Sequence, residues 1–317
     1  MDLIEELHRA ELAPIVWLQG LPGEPVMRAV TLLGTQGFFL FLVPVLYWCV
    51  SPRLGLRLGV TVLAAAWANA VAKLLFHQPR PYWIDARVRP LAVEPSFGLP
   101  SGHAQNSVAA WGQLVRGRAA WCAAGLLIGL VCLSRLYLGV HFVSDVAGGL
   151  LLGLAVLGLV RRLEGPVSAW WRKQRLWRQL AAAAALSAVM PVVAALANAP
   201  HAGWRPPLAP GASEAESLTT VAVMAGGLFG LLAGASIMRG IGWFDVDGPA
   251  RVKCARWALG GAVSAIIWYV LGTVLPPTGI SSFVQYAALS LWVHLGAPVM
   301  FIRLGLMSRA TPAGGVQ

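Results

Sequence analysis

Residues 118–162 read RAAWCAAGLLIGLVCLSRLYLGVHFVSDVAGGLLLGLAVLGLVRR. The stretch holds two apolar runs, 118–139 and 142–160, separated by a short junction and closed at both ends by arginine. Crossing a ~30 Å hydrocarbon core as a helix takes about 20 residues, so each run predicts a membrane-spanning helix. Between the terminal arginines only Arg135, His141 and Asp145 can carry charge, and all three lie at or beside the junction. Ionisable groups there are expensive unless they do something.

The same pattern extends over the chain. Apolar runs bounded by charge, Pro or Gly predict nine spans: 29–50, 56–76, 102–116, 118–139, 142–160, 179–198, 218–238, 257–275 and 281–302. The third carries Gln105, Asn106 and Gln113, and a helix that polar is expected to face protein rather than lipid. Composition agrees with a polytopic all-α membrane bundle: 57% of the 317 residues are apolar and 12% charged, against about 45–50% and about 25% in soluble domains, and mean hydropathy is +0.68. Net charge is +11, but the basic residues concentrate in loops, as the positive-inside rule predicts, so no nucleic acid partner is implied. The partner is the lipid bilayer. Cys49, Cys122, Cys132 and Cys254 show no metal-type spacing, and no disulfide or zinc site is expected.

Orientation follows from the loops. Nine alternating spans with the first loop inside place sixteen of the 24 basic residues in the cytoplasm. The N-terminus is then outside and the C-terminus inside, in a cell inner or plasma membrane. Residues 77–101 and the junction 139–142 face the extracytoplasmic space. The expected divisions are an amphipathic interfacial segment 1–28, a five-span core 29–162, a basic Trp-rich connector 163–178, a four-span extension 179–309 and a tail 310–317.

Three clusters meet the outer face. Lys73 ends the second span, with Arg80 in the extended Pro79-Arg80-Pro81. Pro100-Ser101-Gly102-His103 opens the third span, and Ser134-Arg135 precedes His141 and Asp145. Guanidinium forks and an ammonium match phosphate oxygens, and a helix N-terminus at Ser101 and Gly102 adds backbone N–H donors. Lys73, Arg80, Ser101, Gly102 and Arg135 therefore predict a phosphoryl cradle. His141 and Asp145, four residues apart, share a helix face, so the carboxylate can orient the imidazole and leave its other nitrogen as a nucleophile. His103 is the expected general acid for the departing oxygen. No acidic cluster for a metal is present outside, so hydrolysis without a metal or other cofactor is predicted. Taken singly these residues have duller explanations, among them snorkelling for Lys73 and an ion pair between Arg135 and Asp145; eight together in this order do not.

Lys-x6-Arg-Pro, Pro-Ser-Gly-His and Ser-Arg-x5-His-x3-Asp, at 73–81, 100–103 and 134–145, resemble the three-part signature of the type 2 phosphatidic acid phosphatase superfamily in identity, spacing and order. The resemblance covers residues of about 70 to 150. It implies a phosphohistidine at His141, support from Asp145, protonation of the leaving group by His103 and a phosphate cradle of Lys73, Arg80, Ser101, Gly102 and Arg135. Nine spans and the sequence Arg80-Pro81-Tyr82-Trp83 are similar to the glucose-6-phosphatase branch and, less closely, to sphingosine-phosphate phosphatases. The leaving group stays open between a membrane lipid substrate (phosphatidate, polyprenyl diphosphate or sphingoid phosphate) and a sugar. A non-catalytic lipid-phosphate binding or transport protein is a further alternative, which Asp145 argues against. The apolar residues of 82–99, Phe97 among them, are expected at the lipid boundary.

Overall fold

The computed structural model describes residues 3–310 and is all-helical apart from a two-residue antiparallel pairing of Phe244–Asp245 with Ser308–Arg309. In chain order the helices are α1 (Leu3–Gln19), α2 (Glu24–Leu32), α3 (Gln36–Cys49), α4 (Pro52–Phe76), the single turn α5 (Pro81–Ile84), α6 (Gly102–Leu114), α7 (Arg118–Tyr137), α8 (Val143–Lys173), α9 (Leu176–Asn198), α10 (Thr219–Gly240), α11 (Ala250–Val274), α12 (Gly279–Leu291) and α13 (Ala297–Arg303). A π-helical turn, Trp292–Gly296, joins α12 to α13 in one continuous rod.

Among the described residues seven helical segments are long and apolar enough to cross a membrane, or eight if α2 and α3 form one span bent by 46°. Two of the expected spans are therefore altered. The first is broken at Gly34–Thr35, where Thr35 Oγ1 accepts from Phe38 N at 3.1 Å and so caps α3. A Cβ on Gly34 would stand 2.5 Å from Val131 Cγ1; the bend lets the backbone press against α7. The third, α6, has 13 residues, about 20 Å at 1.5 Å per residue. Its polar side chains do face protein: Gln105, Asn106, Ser107 and Gln113 are all buried. The expected connector is largely helical, forming the last turns of α8 and the first of α9, and the expected tail lies outside the described residues from 311 onward.

The chain folds into two compact units that interleave along the sequence: residues 1–39, 64–162 and 193–217 in one, and 40–63, 163–192 and 218–317 in the other. In the first, α7 packs against α1, α2 and α6. Close approach of α6 and α8 depends on Gly149 and Gly153, where a Cβ would sit 2.4 Å from Ser101 O and 2.7 Å from Gln105 O. This is the small-x3-small device that lets membrane helices touch through their backbones. The expected amphipathic face of α1 turns inward: Leu12 and Ile15 join a core with Tyr137, Leu138, Val140 and Phe142. In the second unit α10 packs on α12, again through glycine, since a Cβ on Gly226 would lie 2.2 Å from Phe283 O. A second core there gathers Tyr47, Trp48, Phe244, Val293 and Phe301.

Candidate active site

The three clusters converge in the first unit, at the C-terminal ends of α4 and α7 and the N-terminal ends of α6 and α8. All eight expected residues are in this unit. Helix ends expose backbone groups that cannot pair within the helix, and here those ends surround fixed charges.

His141 occupies the five-residue junction between α7 and α8. Its Nδ1 is 3.2 Å from Asp145 Oδ2, which also accepts from Phe142 N at 3.0 Å. Beside an ionised carboxylate, which only accepts, the proton is assigned to Nδ1 and Nε2 is left as an acceptor. Burial, followed by the charges of Arg80 and Lys73, pushes the His141 pKa well below its ordinary value. His141 Nε2 lies 3.4 Å from Arg80 Nη1. The duller pairing of Asp145 with Arg135 does not occur, because Arg135 pairs with Glu94.

Arg80, buried between α4 and α5, donates from Nε to Ser96 O (2.6 Å), from Nη2 to Ser96 Oγ and Phe97 O (both 3.0 Å) and from Nη1 to Val140 O (2.7 Å). Lys73 does not snorkel. It is 7% exposed, and its Nζ donates to Ser96 Oγ at 3.2 Å and to Phe97 O. Arg135, in the last turn of α7, donates from Nη1 to Thr31 Oγ1 (2.8 Å) and from Nη2 to Glu94. Ser101 begins α6; its N–H donates to Asp145 O at 2.8 Å, tying the start of α6 to the start of α8. At Gly102 a Cβ would approach Asn69 Oδ1 to 3.1 Å. His103 sits in the first turn of α6, within electrostatic reach of Arg135, Glu94, Lys73 and Arg80. Three buried polar atoms here, Ser101 Oγ, Arg135 Nε and Asp145 Oδ1, lack a hydrogen-bond partner among the described residues. Two of them are donors suited to an anion's oxygens.

The sequence reading missed part of the site. Glu94 brings a second carboxylate where one was expected. Burial pushes its pKa up, but the charges of Arg135, His103, Arg80 and Lys73 together outweigh this and hold it down to about 2. Ser96 and the Phe97 carbonyl hold both Lys73 and Arg80. Phe97 is not at a lipid boundary: it is fully buried against Trp204 and His77, at ring separations of 4.9 and 4.0 Å, because its carbonyl must reach two buried cations. Gly98 makes this fold possible, since a Cβ there would meet Pro79 O at 2.5 Å and Asp145 Oδ2 at 2.9 Å. Among the described residues no three His, Cys, Asp or Glu side chains are grouped to hold a metal ion.

Residues 54–168 match the PAP2 superfamily, and 222–309 match its phosphatase transmembrane extension. The chain is 30% identical over 170 residues to phosphatidylglycerophosphatase B of Bacillus subtilis, covering 47% of this chain and 78% of that protein. The chain belongs to the PAP2 superfamily of membrane phosphatases. This is the family that the three-part signature resembles. Mouse sphingosine-1-phosphate phosphatase 2 is 29% identical (40% of this chain, 38% of that protein), and mouse glucose-6-phosphatase 3 is 31% identical (43% and 47%). The chain thus spans less than half the length of these two PAP2 relatives. The matched region 54–168 contains every expected site residue.

Proposed function

We propose that this PAP2 phosphatase hydrolyses a phosphomonoester or diphosphate of a membrane lipid, through a phosphohistidine at His141 and without a metal ion. The observation that carries the reading is His141 set between two partners, its Nδ1 3.2 Å from Asp145 Oδ2 and its Nε2 3.4 Å from Arg80 Nη1. In the first step Nε2 forms a bond to phosphorus as the ester oxygen departs, and His103 gives that oxygen its proton. In the second, water attacks phosphorus, His103 takes the proton, the P–N bond breaks and phosphate leaves. Lys73, Arg80 and Arg135, with Ser101 Oγ and the first N–H groups of α6, hold the phosphoryl oxygens and oppose the developing charge. Ser101 Oγ and Arg135 Nε have no other partner to give up among the described residues.

A lipid is favoured over a sugar by what the nearby polar groups are doing. A sugar's hydroxyls need free partners, yet of four candidates Gln105 is spent on Ala65 O and Asn69, Asp85 faces Arg87, and Gln78 turns to Phe76 O, leaving Asn106 Oδ1 as the one oxygen among the four without a partner among the described residues. A lipid tail, by contrast, keeps its burial in the bilayer, worth ~0.8 kcal/mol per CH₂. The glucose-6-phosphatase relative favours the other reading, so the two are tested together. In detergent with EDTA, kcat/KM for a long-chain phosphatidate should exceed that for glucose 6-phosphate; a sugar value tenfold higher overturns the lipid assignment. H141A should abolish phosphate release. H103A should lose about 10²–10⁴-fold on alkyl phosphates and much less on aryl phosphates, and equal losses would remove the acid role.

The active face is assigned to the extracytoplasmic side, with α6 counted as a short ninth span, N-terminus outside and C-terminus inside. The loop charges support this. In a cysteine-free background, an impermeant thiol reagent should label A92C and spare S168C from outside; the reverse pattern inverts the topology.

A further inference from the structure

Helix α1 precedes the matched family region, and the reaction above gives it no part. Its buried residues His8, Leu12, Ile15 and Gln19 recur at helical spacing on one stripe. That stripe packs with the residues on both sides of His141. At the upstream end, Gln19 Nε2 donates to Tyr137 O at 3.2 Å, and Tyr137 OH donates to Leu21 O at 2.6 Å. Gly139 has φ +72° and leaves no room for a Cβ, which would stand 2.6 Å from Gln19 Nε2. In the middle, Leu12 and Ile15 pack with Leu138, Val140 and Phe142. At the downstream end the His8 ring stacks on Phe142 at 4.0 Å and 6°. Glu11 then accepts from Ser144 N at 3.1 and 3.2 Å and from Ser144 Oγ at 3.0 Å.

Two backbone donors at the start of α8 lie beside the reacting pair, the N–H groups of Phe142 and Ser144. Asp145 takes the first and Glu11 the second. An anion at a helix N-terminus also interacts favourably with the helix dipole. Without Glu11, the Ser144 N–H and hydroxyl would be left unpaired next to Asp145, the carboxylate that orients His141.

We propose that α1 is a splint for the nucleophile junction and that Glu11 is its positioning residue, fixing the first turn of α8 so that Asp145 holds His141 in line. This rests on His141 being the nucleophile, and the test separates the two. In the full-length enzyme in detergent, with dioleoyl phosphatidate as substrate and inorganic phosphate as competing ligand, misplacement without loss of the cradle should show in turnover alone. E11A should lower kcat roughly tenfold, within the range known for small misplacements, while KM and the phosphate inhibition constant stay within about twofold. E11Q, whose amide oxygen can still accept from Ser144 N, should recover roughly half of the kcat or more. H141A run in parallel must be inactive; an active H141A removes the nucleophile reading and this proposal with it. With H141A inactive, the splint is overturned by an E11A kcat within twofold of the parent, by a phosphate constant that worsens in step with kcat, or by no recovery in E11Q. If E11A does not yield folded protein, S144A is read instead: it removes only the hydroxyl contact and should lower kcat about threefold with an unchanged phosphate constant, and an unaltered kcat overturns the proposal.

Discussion

Three of the largest fully buried side chains are arginines: Arg80 and Arg135 in the first unit and Arg256 in the second. Equal burial hides unequal roles. Arg256 donates to Leu306 O (2.7 Å), Trp48 O (3.1 Å), Val246 O (2.6 Å) and Asp247 O (2.8 Å). Main-chain carbonyls cannot leave without moving the chain, so Arg256 is a rivet between segments of its unit. The two terminal nitrogens of Arg135 go instead to side chains, Thr31 and Glu94, and its Nε has no partner among the described residues. A side chain can swing away for the cost of a rotamer. In the proposed mechanism Arg135 trades Glu94 for a phosphoryl oxygen. Arg80 combines both habits, anchored by three carbonyls yet reaching His141 with the same Nη1 that holds Val140 O. What a buried arginine is bonded to, more than how deeply it lies, separates a binding group from a structural one.

The sharpest way to break this contrast is R80A, which removes the charge beside His141 Nε2. Loss of one such group typically costs about 10²–10³-fold, and kcat/KM for lipid phosphate release should fall by at least the upper figure; a variant within tenfold of the parent would make Arg80 another rivet. R135K keeps the charge but loses the fork, so about tenfold to a hundredfold should go, mostly in KM. R256K should leave kcat per folded molecule within about twofold while lowering the thermal midpoint by several degrees, since unsatisfied buried carbonyls cost about 1–3 kcal/mol. A fall in kcat at an unchanged midpoint would reverse the roles of the two units' arginines. The smallest effect on turnover near neutrality concerns Glu94. Its folded pKa, about 2, lies below the ordinary 4.5, so it adds stability above the ordinary value, lost as pH falls through the folded one. The stability of the parent relative to E94Q should thus be flat from neutral pH to about 5 and shrink below that; a difference that does not change with pH would mean the carboxylate is not held charged by Arg135.

Most of the candidate site was legible because it resides in side-chain identity at helix ends. A Pro-Ser-Gly start to α6 and an i, i+4 His–Asp pair keep their meaning whatever surrounds them. The loop 85–101 was not legible in the same way. Its contribution to Lys73 and Arg80 comes from the carbonyls of Ser96 and Phe97, which any residue could supply, and Phe97 read as apolar surface when its carbonyl was the working part. Glu94 carried no periodicity to single it out from the other acidic residues. The break in the first span had a readable sign, Gly34 followed by the capping Thr35, but the sixteen apolar residues of 29–50 outweigh it in any reading by hydropathy. The inward face of α1 was visible as helical spacing, while its target was not, because nothing local tells a helix stripe whether lipid or protein will cover it.

The hydrogen bond from Ser101 N to Asp145 O is short in space and long in sequence. Residues added at the turn 115–117 between α6 and α7 should leave that bond free to form, because the glycine contact of α6 with α8 brings the two helix starts together. An added residue inside 101–103 or 141–145 shifts the register of one partner and pulls the cradle away from the nucleophile. Tags, epitopes and fluorescent fusions therefore belong at 115–117, where the protein can lengthen without its chemistry noticing.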